Sequence, residues 1–304
     1  MVISPLLVGL IRQVRARIEG RRGAGILQPW RDLRKLLGKD PVRAADSGWV
    51  LRVAPVALVV SSLLLCVLLP LVGTLALDFL PSDLFVIVSV MLIGVVALAL
   101  VGLDGGTAFG GMGSSREITI AALVEPTILL AVFALSIPGQ SANLSAIVSA
   151  TLDDPGQVLS LGSVLAFVAL VIVIIAETGR LPVDNPSTHL ELTMIHEAMV
   201  LEYSGPKLAL IEWASGMRLT VLLAMLANLF LPWGIAGADP SLLAVLLGAV
   251  AIAVKVAVLA GALAAAEVFI AKLRYFRVPE LLAGSFLLAL LAVTASYFLA
   301  TPTQ

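Results

Sequence analysis

The chain has 304 residues, 60% of them hydrophobic and 13% charged, with a mean hydropathy of +1.08 and a net charge of -1. A soluble domain of this length carries roughly a quarter of its residues as charges, so a soluble domain is excluded, and so is a disordered chain, which needs low hydrophobicity. One cysteine, Cys66, and two histidines, His189 and His196, exclude a disulfide framework, a cysteine-ligated cluster and a string of haem ligands built by this chain alone.

Crossing a hydrocarbon core of about 30 Å takes roughly 20 apolar residues. Met1 to Ile11 is apolar but too short to span, lacks a signal-peptide cleavage site, and reads as the inner end of a truncated first helix. A basic connection, 12–49, follows; eleven of the 19 lysines and arginines lie between Arg12 and Arg52. Within it, after Gln28-Pro29, Trp30, Leu33, Leu36 and Leu37 recur at helical spacing opposite Arg31, Arg34 and Lys35, the pattern of an amphipathic helix lying in the membrane interface. A basic loop beside a membrane is explained by topology and anionic lipid, so no nucleic-acid partner is expected.

Seven full spans follow: Val50 to Leu77, Leu84 to Leu103, Ile118 to Ile137, Val158 to Ala176, Leu208 to Ile235, Leu242 to Ala271 and Leu281 to Leu299. Prolines such as Pro70 and Pro126 interrupt some runs, which membrane helices tolerate. The connections alternate between basic ones, with Arg116, Arg180, and Arg274 with Arg277, and base-free ones, with Asp78 and Asp83, Asp153 and Asp154, and Asp239. The positive-inside rule places the basic connections in the cytoplasm and the C-terminus outside. The expected architecture is all-α: one polytopic domain over 1–304 in the cell membrane, seven full transmembrane helices plus a truncated first, with an acidic cytoplasmic loop at 177–207.

Glu125, Lys255 and Glu267 interrupt apolar runs, each at a cost of about 2.5–3.5 kcal/mol if left facing lipid. They must be paired, either as pins that fix packing or as stations of a proton or ion path. The second reading is favoured, since acids and a lysine spread over several helices exceed what a pin requires. Lys255 and Glu267 are twelve positions apart, about 120° around a helix, so they address different neighbours. The densest cluster is Glu177, Arg180, Asp184, His189, Glu191, His196, Glu197 and Glu202, with Glu212 in the next run, interleaved with Leu190, Leu192, Met194 and Ile195. Glu191 and Glu202 are eleven apart, within about 20° on a helix, and are expected to point into one cavity. Crowded, buried carboxylates exchange protons near neutral pH. The seven-residue spacing of His189 and His196 disfavours a shared metal. No nucleophile triad, phosphate loop or Rossmann glycine pattern occurs. The chain therefore has no catalytic residue, metal or redox centre of its own, and any enzyme activity is shared with partners.

Four ordered motifs carry a family resemblance: Gly20 through Leu36 (GRRGAGILQPWRDLRKL), Gly113-Ser114-Ser115-Arg116-Glu117 with Glu125-Pro126, Glu177-Thr178-Gly179-Arg180-Leu181-Pro182-Val183-Asp184, and Glu202-Tyr203-Ser204-Gly205. Together they resemble the subunit 1 family of respiratory complex I, the NADH-quinone oxidoreductase. Within it the chain looks most like the formate hydrogenlyase subunit 4 branch, the membrane anchor of energy-converting NiFe-hydrogenases. The resemblance implies an eight-helix subunit that binds no cofactor and docks a soluble arm on its cytoplasmic side. That arm comprises an iron-sulfur small subunit and a NiFe-hydrogenase-like large subunit, and antiporter-like membrane subunits stand alongside in the bilayer. Glu177, Arg180, Asp184 and Glu202 would lie under the terminal iron-sulfur cluster. Glu117, Glu125, Glu191, Glu197, Glu212, Lys255 and Glu267 would extend the relay, while Arg22, Gln28, Asp32, Lys35, Arg116 and Arg180 would organise the loops and dock partners.

Two departures bear on function. Where the quinone-using branch carries Arg-Pro-Pro-Phe-Asp and an acid-rich Glu-Ser-Glu run, this chain has Arg180-Leu181-Pro182-Val183-Asp184 and His189-Leu190-Glu191-Leu192-Thr193. They argue against a quinone pocket. The competing readings are a quinone-site subunit of an NADH dehydrogenase-type complex and a stand-alone secondary transporter, which inverted repeats would favour and none is visible.

Overall fold

The computed structural model describes residues 3–42, 48–73, 82–184, 194–237, 241–271, 273 and 277–300. In chain order the helices are α1 (Ser4–Ile18), α2 (Gln28–Leu37), α3 (Val50–Leu68), α4 (Leu84–Asp104), α5 (Ala108–Gly139), α6 (Leu144–Asp153), α7 (Leu161–Glu177), α8 (His196–Met199), α9 (Gly205–Phe230), α10 (Leu242–Phe269) and α11 (Val278–Ala300), with a 3₁₀ turn at Pro155–Leu159. Among the described residues, six helices are long and apolar enough to cross a membrane: α3, α4, α5, α9, α10 and α11. The expected fourth full span, Val158 to Ala176, is realised as the 3₁₀ turn followed by the 17-residue α7.

Helix starts follow local chemistry. The side chains of Asp83, Thr107, Asn143, Ser160 and Ser241 each accept a hydrogen bond from a backbone N–H of the first turn they precede. The helices α1, α2 and α9 instead carry a proline in the first turn, where the missing N–H costs nothing. The first helix runs on to Ile18, so Arg12, Arg15 and Arg17 belong to its last turns and not to the connecting loop; the loop proper starts at Glu19. The interfacial helix forms at the expected place, with Leu33 buried and Arg31, Arg34 and Lys35 exposed. The third expected span begins ten residues early, because Thr107 caps a helix that includes the glycine-rich stretch and continues through Pro126.

Between helices in lipid there is no hydrophobic drive, and close contact at small residues does the work. The α4–α5 hairpin is closed by Gly102 against Gly110, and a Cβ on either would overlap the other helix; Ser114 Oγ donates across the seam to Ala99 O at 2.8 Å. Gly162 of α7 approaches Ser296 and Ala292 of α11 in the same way. Around these seams α11 packs on α5 and α7, α3 on α4 and α9, and α1 on α9 and α10. In α9 every residue from Val221 to Phe230 is buried, whereas α10 turns Leu243, Leu247, Val250, Val254 and Val258 outward.

The alternation of charges along the sequence becomes a polarity of the bundle. The ends of α1, α4, α7 and α10 and the starts of α3, α5, α9 and α11 gather at one end with the described basic loops. The other end carries Asp83, Asn143, Asp153 and Asp154 and, among the described residues, no lysine or arginine. There Asn228 Nδ2 donates to Pro70 O at 2.7 Å and Leu71 O at 3.0 Å, tying α9 to the segment after α3.

Candidate functional site

Seventeen helical residues reach about 26 Å at 1.5 Å each, short of a hydrocarbon core of about 30 Å. The helix α7 ends at the buried Glu177, and described residues on either side of 185–193 pack into the bundle. Leu181, Val183, Asp184, Met194, Ile195, Ala198 and Met199 are all buried. Asp184 organises this inserted loop: its Oδ2 accepts from the backbone N–H groups of Ile195 and His196, both at 3.3 Å, at the start of α8. Arg116 of α5 donates to Met194 O at 3.0 Å. The basic connection is buckled to the same loop, since Val42 N–H donates to Ser204 Oγ at 2.8 Å and that hydroxyl donates back to Val42 O at 3.0 Å.

Beside these residues lies a vestibule of about 750 Å³ bounded by α1, α2, α9, residues 178–180 and 184, and residues 196, 197 and 200. Arg12, Arg15, Arg21, Arg22 and Arg180 line it, opposed by Asp32, Asp184, Glu197, Glu212 and Glu267. Glu267 sits in the last turn of α10 and is ion-paired with Arg180 at 2.7 Å and Arg15 at 3.8 Å. Gln28 steadies Asp32 with a hydrogen bond of 2.9 Å. On the rim, hydrogen bonds from Arg21 and then Arg15 hold the Glu19 carboxyl below its ordinary pKa.

Deeper, a chamber of about 30 Å³ is lined by Glu117, Glu177, His196, Thr178, Ser215 and Arg218 among others. Arg218 stands halfway along α9. Its Nη2 is ion-paired with Glu177 and donates to Met91 O at 3.0 Å, and Gly94 of α4 leaves the room its guanidinium occupies. Burial depresses the His196 pKa; Arg218 depresses it further and Asp184 opposes both. Burial, with Asp104 nearby, raises the phenol of Tyr203.

A third space, about 690 Å³, is a lateral groove between α4 and α5. Glu125 lines it and every other lining residue is apolar. Glu125 Oε1 is buried without a hydrogen-bond partner among the described residues, and so is Lys255 Nζ. The expectation that all three intramembrane charges are paired therefore holds for Glu267 alone, which lies at a helix end within reach of Arg180 and of Arg15 on α1.

The site residues read from the sequence thus fall into groups. Asp184, Glu197, Glu212 and Glu267, with Arg22, Asp32 and Arg180, surround the vestibule; Glu117 and Glu177 share the chamber; Glu125 opens to the groove. Lys255 lines none of these spaces, and Lys35 is exposed on α2. Glu202 packs beside Gly105 at the α4–α5 turn and does not line the vestibule; Glu191, its expected cavity partner, and His189 lie outside the described residues. Arg218 is absent from the sequence-derived set, although an arginine inside the Leu208 to Ile235 run carries the same intramembrane cost as Glu125. His196 stands in the sequence as a member of the dense titratable cluster and as a metal ligand weighed and set aside, without a role of its own in the relay.

Comparison with known proteins supplies the context for this arrangement. The NADH dehydrogenase family model matches residues 1–297. The chain belongs to the NADH dehydrogenase family. Within the family it is 36% identical over 234 residues to hydrogenase-4 component C of Escherichia coli (strain K12), covering 77% of this chain and 73% of that protein. It is 35% identical over 232 residues to formate hydrogenlyase subunit 4 of the same organism, covering 76% and 74%. An NADH-quinone oxidoreductase subunit of Paraburkholderia xenovorans (strain LB400) is 29% identical over 219 residues, 68% of this chain and 60% of that one. A chain of the membrane-bound sulfane sulfur reductase, an archaeal respiratory membrane complex, shares the fold at a TM-score of 0.85 and 20% identity, with 97% and 95% covered.

Proposed function

We propose that this NADH dehydrogenase family member is the membrane-anchoring, ion-coupling subunit of a hydrogenase-like, formate hydrogenlyase-type oxidoreductase. The observation that carries the reading is a charged vestibule that shares a wall with a chamber holding Glu117 and the Glu177–Arg218 pair, with a separate lateral groove into which Glu125 opens. The vestibule end, with the inserted loop and the exposed face of α2, docks an iron-sulfur small subunit and a NiFe-type large subunit on the cytoplasmic side. Glu125, in its groove, faces an antiporter-like membrane neighbour. On this reading the redox centres belong to the partner subunits. Reduction of a partner's cluster adds negative charge near the vestibule, favours the protonated form of the nearest carboxylates, and so drives protons between vestibule and chamber.

The intact complex tests this in vesicles. Carrying Glu117→Gln it should still co-purify with its partners but lose proton uptake by about tenfold or more, the scale of a lost proton-transfer group. Undiminished uptake in the assembled variant would refute the relay.

A second reading, a quinone-site subunit, is favoured by one observation: a vestibule of about 750 Å³ lies in the size range of small-ligand sites, about 300–1,000 Å³. Its five arginines and five carboxylates speak against it, since such sites are mostly apolar. Quinone-site inhibitors that arrest turnover of the purified complex would restore it.

A further inference from the structure

The vestibule and the chamber are separate spaces that share a wall. Four residues line both: Thr178, His196, Ile211 and Ser215. Any proton entering the chamber from the vestibule passes this wall. Ile211 carries no exchangeable side-chain proton. The Thr178 hydroxyl donates its proton to Ile174 O at 2.7 Å, locking it into the end of α7. Ser215 offers a hydroxyl but cannot hold a charge. His196 alone among the four changes charge between about pH 5 and 8. Its backbone N–H donates to Asp184, which anchors the residue in the wall and leaves the ring free to rotate. The chamber, about 30 Å³ and lined by both His196 and Glu117, has room for roughly two water molecules.

We propose that His196 is the proton carrier joining the vestibule to the chamber, an inference that rests on the relay reading above. The neutral ring takes a proton from vestibule water on its free nitrogen. The imidazolium then releases the proton of its other nitrogen through chamber water to the Glu117 carboxylate, and rotation of the ring restores the starting tautomer. Protons and charge balance, and no co-reactant is required. The groups facing the ring are Asp184 and Glu197 of the inserted loop, Glu117 of α5, Glu177 of α7 and Arg218 of α9. From α4, also packed on α8, the only charged group is Asp104 at the helix end, where it accepts from Leu51 N–H. Burial and Arg218 disfavour the charged ring and Asp184 favours it.

The complex in vesicles is assayed for proton uptake across a pH series, with co-purification of partners as the assembly check. His196→Gln should lower uptake by about tenfold or more and remove the limb of the pH profile due to histidine. His196→Asn, whose amide overlays the Nδ1 position, should do the same. In His196→Ala, added imidazole should restore uptake, which a merely structural role would not allow. If Glu117→Gln abolishes uptake while assembled His196→Gln and His196→Asn retain the wild-type rate and profile, the carrier role is overturned and the relay reading stands. If Glu117→Gln also retains full uptake, the relay reading itself falls and takes this inference with it.

Discussion

Arg218 and Glu177 meet inside the bundle from helices α9 and α7, and each is buried on the strength of the other. Truncating one partner of a buried pair costs about 3–5 kcal/mol, because the remaining charge is left uncompensated, whereas replacing both by apolar groups is often neutral. Arg218→Met should therefore lower thermal stability in detergent by that amount, and Arg218→Met with Glu177→Met should recover most of it. A single substitution without effect would show that the pair contributes nothing to stability. Glu177 was visible in the sequence as part of an acidic motif. Its partner was legible only as a lone arginine in an apolar run, and 41 residues separate the two, too far for any helical spacing to pair them. Glu267 shows the converse: read as an intramembrane station, it stands at a helix end between two arginines.

At the scale of elements, the end of α7 decides where the site lies, because Glu177 closes the helix buried beside Arg218 and Thr178 lines both the vestibule and the chamber. The opposite end of the bundle is held by fewer polar ties. Asn228 serves two carbonyls left free where α3 ends at Leu68 and the chain turns through Pro70 and Leu71, and Ala236 N–H adds a bond to Val72 O at 3.0 Å. Asn228→Leu leaves the buried Pro70 carbonyl and the part-buried Leu71 carbonyl without their donor, a loss of about 1–3 kcal/mol. Unfolding of the purified chain should shift accordingly, with proton uptake of the assembled complex unchanged, since the change lies at the end remote from the vestibule.

For the whole molecule, polarity is the testable property. The basic end is expected to face the cytoplasm. In a Cys66→Ala background, Leu37→Cys on α2 and Leu159→Cys on the 3₁₀ turn place thiols at opposite, exposed positions, 57% and 82% accessible. An impermeant thiol reagent added to intact cells should label the second and spare the first. The reverse pattern would invert the orientation and move the proposed docking face outside.

Membrane residence, the helical class, the approximate spans, the interfacial helix and the partition of charge between two ends were all determined by the sequence alone. Each depends on run length, local periodicity or the side of a span on which a lysine falls, and none needs a knowledge of neighbours. The tertiary structure decided which faces meet. The helices α4, α5, α10 and α11 are apolar around most of their circumference, so their patterns point nowhere, and in lipid apolar surface does not choose a partner. Contact was set by glycine seams and a few buried polar groups. That is why the chamber, with Arg218 and His196 in its wall, could not be read from the chain, while the acids that ring the vestibule could.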